Sequence, residues 1–194
     1  MKKSQDEKKY RHPVKKIFIG QLLKETIRVI RRSKVKKVID IGCGEGYPDK
    51  VICSQLPKIK LVGVDIGSQV LKKAKEQNPK IEYCLGDVFK LNFKPAEFDL
   101  ALILEVLEHL KEPEKAIKEV KKVAKKAIFS VPSEPWFSLV SLASGSYLKT
   151  KGRHPDHVNF WNLVSFEQLL RKHYNKVRVK RVFPWLIAFC EDGK

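Results

Sequence analysis

The sequence predicts an open, doubly wound α/β fold: a mostly parallel seven-stranded sheet, helices on both faces and a C-terminal antiparallel hairpin strand. Three observations predict it. Short β-branched runs recur, VIDIG, LVGVD, IEYCL, DLALIL and AIFSV, without the polar alternation of a half-exposed strand, as strands buried on both faces require. Segments of helical period lie between them, near 47–56, 68–77 and 114–124, which is the βαβ texture of a parallel sheet. Two closing runs, VRVKRVF and WLIAFC, are separated only by Pro184 and can fold back on each other as a hairpin.

The elements follow in order. Residues 1–13 lack periodicity and read as a basic, flexible arm, and 14–194 as a single domain. Val14, Ile17, Phe18, Leu22, Ile27 and Ile30 recur near helical spacing, so an amphipathic helix with a Lys/Arg outer face precedes the first strand. Residues 1–37 hold 14 Lys/Arg against three acids. The lysine-rich helix near 114–124 keeps Ala116, Ile117, Val120, Val123 and Ala124 on one face, as a solvated crossover helix does. The connection 132–164 is too long for a plain loop and carries Trp136, Phe137, Tyr147, Phe160 and Trp161. It reads as an insertion that covers a substrate, or as an amphipathic helix that completes the core with most of those aromatics, and a helix near 165–173 follows it.

Composition excludes several classes. With 194 residues, 43% of them hydrophobic, the chain can build a core, so its net charge of +18 is not that of a disordered basic tail. No apolar run approaches the roughly 18 residues of a membrane helix. The basic start lacks an apolar signal core, so a cytoplasmic protein is expected. Cys43, Cys53, Cys84 and Cys190 form no C-x-x-C pair and fit reduced thiols better than a disulfide or zinc frame.

In such sheets ligands sit beyond the carboxyl ends of the strands, where the winding reverses. The first strand ends in Asp40-Ile41-Gly42-Cys43-Gly44-Glu45-Gly46-Tyr47, whose alternate glycines let the backbone turn tightly and approach a ligand. A dinucleotide fingerprint would need glycine where Tyr47 stands, and a phosphate loop would need Gly-Lys-Ser/Thr; neither is present. The second strand ends in Asp65, whose two oxygens can accept both hydroxyls of a ribose. The third leads into Gly86-Asp87-Val88, and the fourth into Leu104-Glu105-Val106-Leu107-Glu108-His109. Acids thus recur along one sheet edge.

This ordered series resembles the class I S-adenosylmethionine-dependent methyltransferases over residues 35–131. The resemblance implies a Rossmann-like domain with S-adenosyl-L-methionine as cofactor. By position, Gly42, Cys43, Gly44 and Gly46 would pass under its methionine part, with Asp40 fixing that loop and the amino group. Asp65 would hold the ribose, Ile66 would lie against the adenine, and Asp87 and Val88 would take the adenine edge. Leu104 and Glu105 would line the cofactor near the sulfonium.

His109 is a candidate general base, or else a helix-start histidine with a structural hydrogen bond, and would share a helical face with Glu105 if the segment is helical. Glu108 reads as solvated or as part of the helix entrance. His157, in an H-x-x-F that resembles the family's pattern before its S-x-x-x-L-L helix, is a second catalytic candidate that orders the cover. His154, Asp156 and His157 are too few to argue for a metal, so none is expected. The segments E-V-L-E-H-L and S-V-P-S-E resemble the branch containing ubiquinone- and menaquinone-biosynthesis enzymes, which implies a small-molecule or metabolite acceptor. The basic N-terminal region keeps RNA open as acceptor, and a non-catalytic basic RNA- or partner-binding module is the reading from another class.

Overall fold

The computed structural model describes residues 13–143, 150–152 and 154–192. The elements are α1 (Pro13–Ser33), β1 (Lys37–Ile41), α2 (Tyr47–Gln55), β2 (Lys60–Asp65), α3 (Ser68–Gln77), β3 (Glu82–Leu85), β4 (Leu100–Leu104), α4 (Pro113–Val123), β5 (Lys126–Pro132), α5 (Trp136–Ala143), α6 (Leu163–Arg171), β6 (Lys176–Val182) and β7 (Trp185–Glu191), with a short 3-10 turn at Leu107–His109. The expected arm is named for residues 1–13, and 1–12 lie outside the described residues, as does Tyr147.

The seven strands form one sheet in the order β3-β2-β1-β4-β5-β7-β6. β1 pairs in parallel with β2 and β4, and β4 with β5. β7 runs antiparallel between β5 and β6, as the hairpin around Pro184 predicts. The winding leaves β1 in one direction toward β2 and β3 and in the other toward β4 and β5. The carboxyl ends of β1 and β4 therefore bracket the switch point.

Both faces of the sheet are covered. Ile19, Leu22, Leu23, Ile27 and Ile30 of α1 and Ile52 of α2 pack on Leu100, Leu102 and Ile128. On the other face α4 seats Ala116, Ile117, Val120 and Val123, all within 1% of fully buried, beside Phe166 and Leu170 of α6. Burying an Ile or Val side chain stabilises by about 1.5–3 kcal/mol, so this stripe fixes α4 despite its lysines. α6 starts two residues before the expected 165 because Asn162 and Ser165 form a reciprocal cap: Ser165 N donates to Asn162 Oδ1 (2.9 Å) and Asn162 N to Ser165 Oγ (3.1 Å). The long connection is not structureless, since α5 lies within it. No described helix is long and apolar enough to cross a membrane.

Candidate active site

The glycine loop after β1 holds Gly42, Gly44 and Gly46 at φ of 81°, 56° and 72°, a region that a side chain makes costly. Gly42 N and Cys43 N both donate to Val64 O (2.7 and 3.1 Å), which carries the turn across to β2. Asp65 locks it from the far side. Its Oδ2 accepts from Gly44 N (3.0 Å) and its Oδ1 from Gly67 N (2.8 Å). Each oxygen keeps a lone pair for a further donor, so Asp65 organises two turns and still offers a bidentate edge. Next to it Ile66 is 72% exposed, an apolar side chain in water that a flat ring could cover. Asp87 Oδ1 accepts from Phe89 N (2.9 Å), which tightens the turn after β3, and Val88 packs half-buried on the core.

Asp40 does not reach the rim. It is only 2% exposed and lies beneath the loop with the fully buried Asp49 of α2. Burial and the neighbouring Asp49 and Asp65 carboxylates raise its pKa well above the ordinary range. Burial also pushes Asp49 up to about 6, against its contacts with Asp40 and Tyr83. Tyr83 and Asn78 close this chamber: Asn78 Nδ2 donates to Gly46 O (3.0 Å) and to the Tyr83 hydroxyl (3.1 Å). Cys43 is buried against the same tyrosine, and burial raises its thiol. Glu45 is tied to Lys73 at 2.9 Å.

At the end of β4, Leu104 is half-buried and Glu105 adopts a left-handed φ of 57°, a strained state for a residue with a Cβ. Its amide donates to Ser130 O (3.1 Å) and Ser130 Oγ (3.2 Å), and these bonds to β5 hold the strained turn. The segment is therefore not an α-helix that begins at Glu105, and the expected shared face of Glu105 and His109 does not form. Glu108 is also not solvated: it is 1% exposed.

The segment after α5 docks onto this turn. Val158 N and Asn159 N donate to Glu108 O (2.8 and 3.1 Å), and Asn159 Nδ2 donates to Leu107 O (3.2 Å) and Leu110 O (2.6 Å). These four bonds bring His157 to His109, with ring centroids 4.9 Å apart, and His154 stacks on His157 at 4.7 Å. His109 Nδ1 lies 3.0 Å from Asp156 O. A carbonyl only accepts, so Nδ1 carries the proton and Nε2 the lone pair. One ligand atom each from Glu108, His109 and His157 lies within 4.8 Å of the others, a donor set suited to a divalent cation. Where the sequence offered His154, Asp156 and His157 and argued against a metal, the fold assembles a different trio.

Residues 39–128 match the model of the methyltransferase domain family. With the motif series they carry, these residues are similar to the class I S-adenosylmethionine-dependent methyltransferases. Two curated relatives of different kinds share it. A ubiquinone biosynthesis O-methyltransferase of Idiomarina loihiensis is 34% identical over 95 residues, covering 46% of this chain and 38% of that protein. A small RNA 2'-O-methyltransferase of Caenorhabditis elegans is 25% identical over 197 residues, covering 87% of this chain and 43% of that protein. The chain thus spans less than half the length of these relatives. In fold it is similar to the methyltransferase domain of bacterial CtHen1, with a TM-score of 0.74, 21% identity and coverage of 91% of this chain and 100% of that one.

S-adenosylmethionine is the cofactor of this domain family. The methyltransferase domain brings Gly42, Gly44, Gly46, Asp65, Ile66, Asp87 and Glu105 to the carboxyl edge of its sheet, and sets Asp40 and the Cys43 side chain behind it. Asp49, Asn78, Tyr83 and the buried role of Glu108 were not singled out from sequence. An acid three residues before Ile52, on the apolar face of α2, was the available signal for Asp49. For Glu108, the signal was a second acid directly before a histidine at a strand end.

Proposed function

We propose that the chain transfers the methyl group of S-adenosylmethionine to a ribose 2'-hydroxyl of RNA. The observation that carries this reading is the convergence of Glu108, His109 and His157 beside the strained end of β4. Methylation of a hydroxyl requires loss of its proton, and oxygen and nitrogen donors beside the methyl-donor pocket serve that need. The relative that methylates RNA aligns over 87% of the chain, while the one named for ubiquinone biosynthesis aligns over 46%. A match over less than half of the chain does not by itself favour a metabolite acceptor.

In this reading the loop Gly42–Gly46 passes under the methionine part, and Asp65 accepts the ribose hydroxyls with the lone pairs its backbone bonds leave unused. Ile66 covers one face of the adenine, and Asp87 with Val88 its edge. Leu104 and Glu105 line the sulfonium side. Asp40 acts from beneath the loop. Held in line, the methyl needs positioning and a dry pocket more than covalent help. Glu108, His109 and His157 would hold a divalent cation, which when bound lowers the pKa of a hydroxyl it contacts. His109 Nε2, fixed by the Nδ1 bond to Asp156 O, presents its lone pair toward the site, and Asn159 keeps His157 in place.

The test is transfer of radiolabelled methyl to a 20-nucleotide RNA, its 2'-deoxy counterpart and a small-molecule extract, each with and without a chelator. Label in the RNA alone, lost with chelator, is expected. Label confined to the extract, or equal in the deoxy oligonucleotide, overturns the reading.

A further inference from the structure

A groove of about 410 Å³ lies between α1 and the outer strands of the sheet. Its charged lining consists of Arg32 from α1, Lys126 from β5, and Arg178 and Lys180 from β6, against two acids, Glu25 and Glu191. The strand pattern explains why it is open. Along β6, Val177 and Val179 point to the core shared with α6, so residues 176, 178 and 180 point to the α1 side. All three are cations, Lys176, Arg178 and Lys180, with side chains 60%, 76% and 53% exposed. Apolar residues there would have drawn α1 down onto the strand.

The acids do not cancel this charge. Burial opposes ionisation of Glu25, but Lys180 at 3.1 Å and Arg28 at 3.2 Å outweigh it and hold its carboxyl below the ordinary value. Glu191 faces Lys176 and Arg178, both at 3.9 Å. Surplus cations remain on both walls.

The strand that walls the groove runs toward the candidate active site. β6 ends at Val182, and the next residue, Phe183, is 39% exposed and packs its ring 5.7 Å from Phe18 of α1 and 6.2 Å from Trp136, itself 43% exposed. The next residue of α5, Phe137, lies 5.6 Å from the ring of His157. Beyond the cations of β6 the chain thus reaches the exposed rings of Phe183 and Trp136, and the half-buried Phe137 links them to the histidine cluster. Cations track phosphates, and aromatic faces stack bases without regard to sequence.

We infer that the α1–β6 groove and the Phe183–Trp136 rings form a track for single-stranded RNA that adjoins the nucleotide being methylated. The inference rests on the RNA reading above. A seven-residue strand spans about 23 Å, enough for several phosphates. An acidic polypeptide is the other polyanion that such walls could take, but it offers nothing to stack on Trp136 and Phe183.

The experiment is fluorescence anisotropy of a labelled 20-nucleotide single-stranded RNA with the full chain, across a salt series. The proteins compared are wild type, Arg32→Gln/Arg178→Gln, Trp136→Ala and, as a cofactor-site control, Asp65→Ala. Melting temperature checks the fold of each. The double variant is expected to bind at least tenfold more weakly at low salt with a salt slope shallower by about 2, Trp136→Ala severalfold more weakly with an unchanged slope, and Asp65→Ala like wild type. Folded variants that bind like wild type overturn the track, as does wild-type protein that binds a polyglutamate peptide through Arg32 and Arg178 but not RNA. RNA bound through the track yet never labelled would support the track and remove only the methyl-transfer reading.

Discussion

Val106 sits directly over Gly42, so that a Cβ added to the glycine would collide with Val106 Cγ2. This contact joins the turn after β1 to the turn after β4. The glycine loop and the histidine-bearing segment therefore cannot shift independently.

Gly42→Ala meets both that collision and a φ of 81°. It is expected to lower stability by about 1–3 kcal/mol and to eliminate the rise in melting temperature that S-adenosylhomocysteine causes in the wild type. Adding Val106→Ala should recover part of the stability, because it removes the clash and leaves the backbone strain. No recovery in differential scanning would mean that the contact does not set the loop.

Asp65→Ala removes the acceptor for Gly44 N and Gly67 N together. Loss of the thermal shift by S-adenosylhomocysteine is expected, with Asp65→Asn retaining a fraction because one oxygen remains. An undiminished shift in Asp65→Ala would show that the ligand binds elsewhere.

The buried pair of Asp40 and Asp49 makes stability depend on pH in a defined direction. Both folded pKa values are raised, Asp49 to about 6, whereas in the unfolded chain carboxyls ionise near 4. Above about pH 4 the folded state therefore binds more protons than the unfolded state, and the pair's contribution falls as pH rises through 6. Asp49→Asn, which cannot ionise, should melt higher than wild type at pH 7.5, and the gap should close toward pH 4.5. A gap that does not change with pH would contradict this assignment.

Mn²⁺ should raise the melting temperature of the wild type and leave His157→Ala unaffected. Asn159→Ala, which frees the carbonyls of Leu107 and Leu110, should keep part of the shift at roughly tenfold higher metal concentration. If His157→Ala responds to Mn²⁺ as the wild type does, the three side chains are not its ligands.

What could be read from the sequence followed from local rules. Strands such as Leu100–Leu104 announce themselves by unbroken apolar runs, and the glycine spacing after Asp40 excluded two other nucleotide loops before any geometry was known. The helix near 68–77 falls on Ser68–Gln77 because polar residues flank its apolar stripe on both sides. What escaped depends on distant contacts. Glu105 looked like the start of a helix, but its hydrogen bonds to Ser130 on β5 hold it in a left-handed turn. Glu108 looked solvated because nothing nearby in sequence covers it, whereas the segment around Val158 does so from fifty residues away. Asp40 was expected to fix the glycine loop and the cofactor's amino group, and its burial was not legible because its partner below, Asp49, belongs to the following helix. The cations of β6 carry no signal of their own in the sequence, because it is the path of α1 that leaves them uncovered.

The position of β7 has a consequence for biosynthesis. β5 gains its second neighbour only from residues 185–191, and β6, although made earlier, has no place in the sheet until β7 arrives to hold it. While the intervening segment is being translated, β5 presents a bare apolar edge, which invites mispairing with other chains. Truncation before Trp185 should therefore yield an aggregating polypeptide even though the cofactor-binding half is already complete. The order of synthesis makes the hairpin the closing step of assembly.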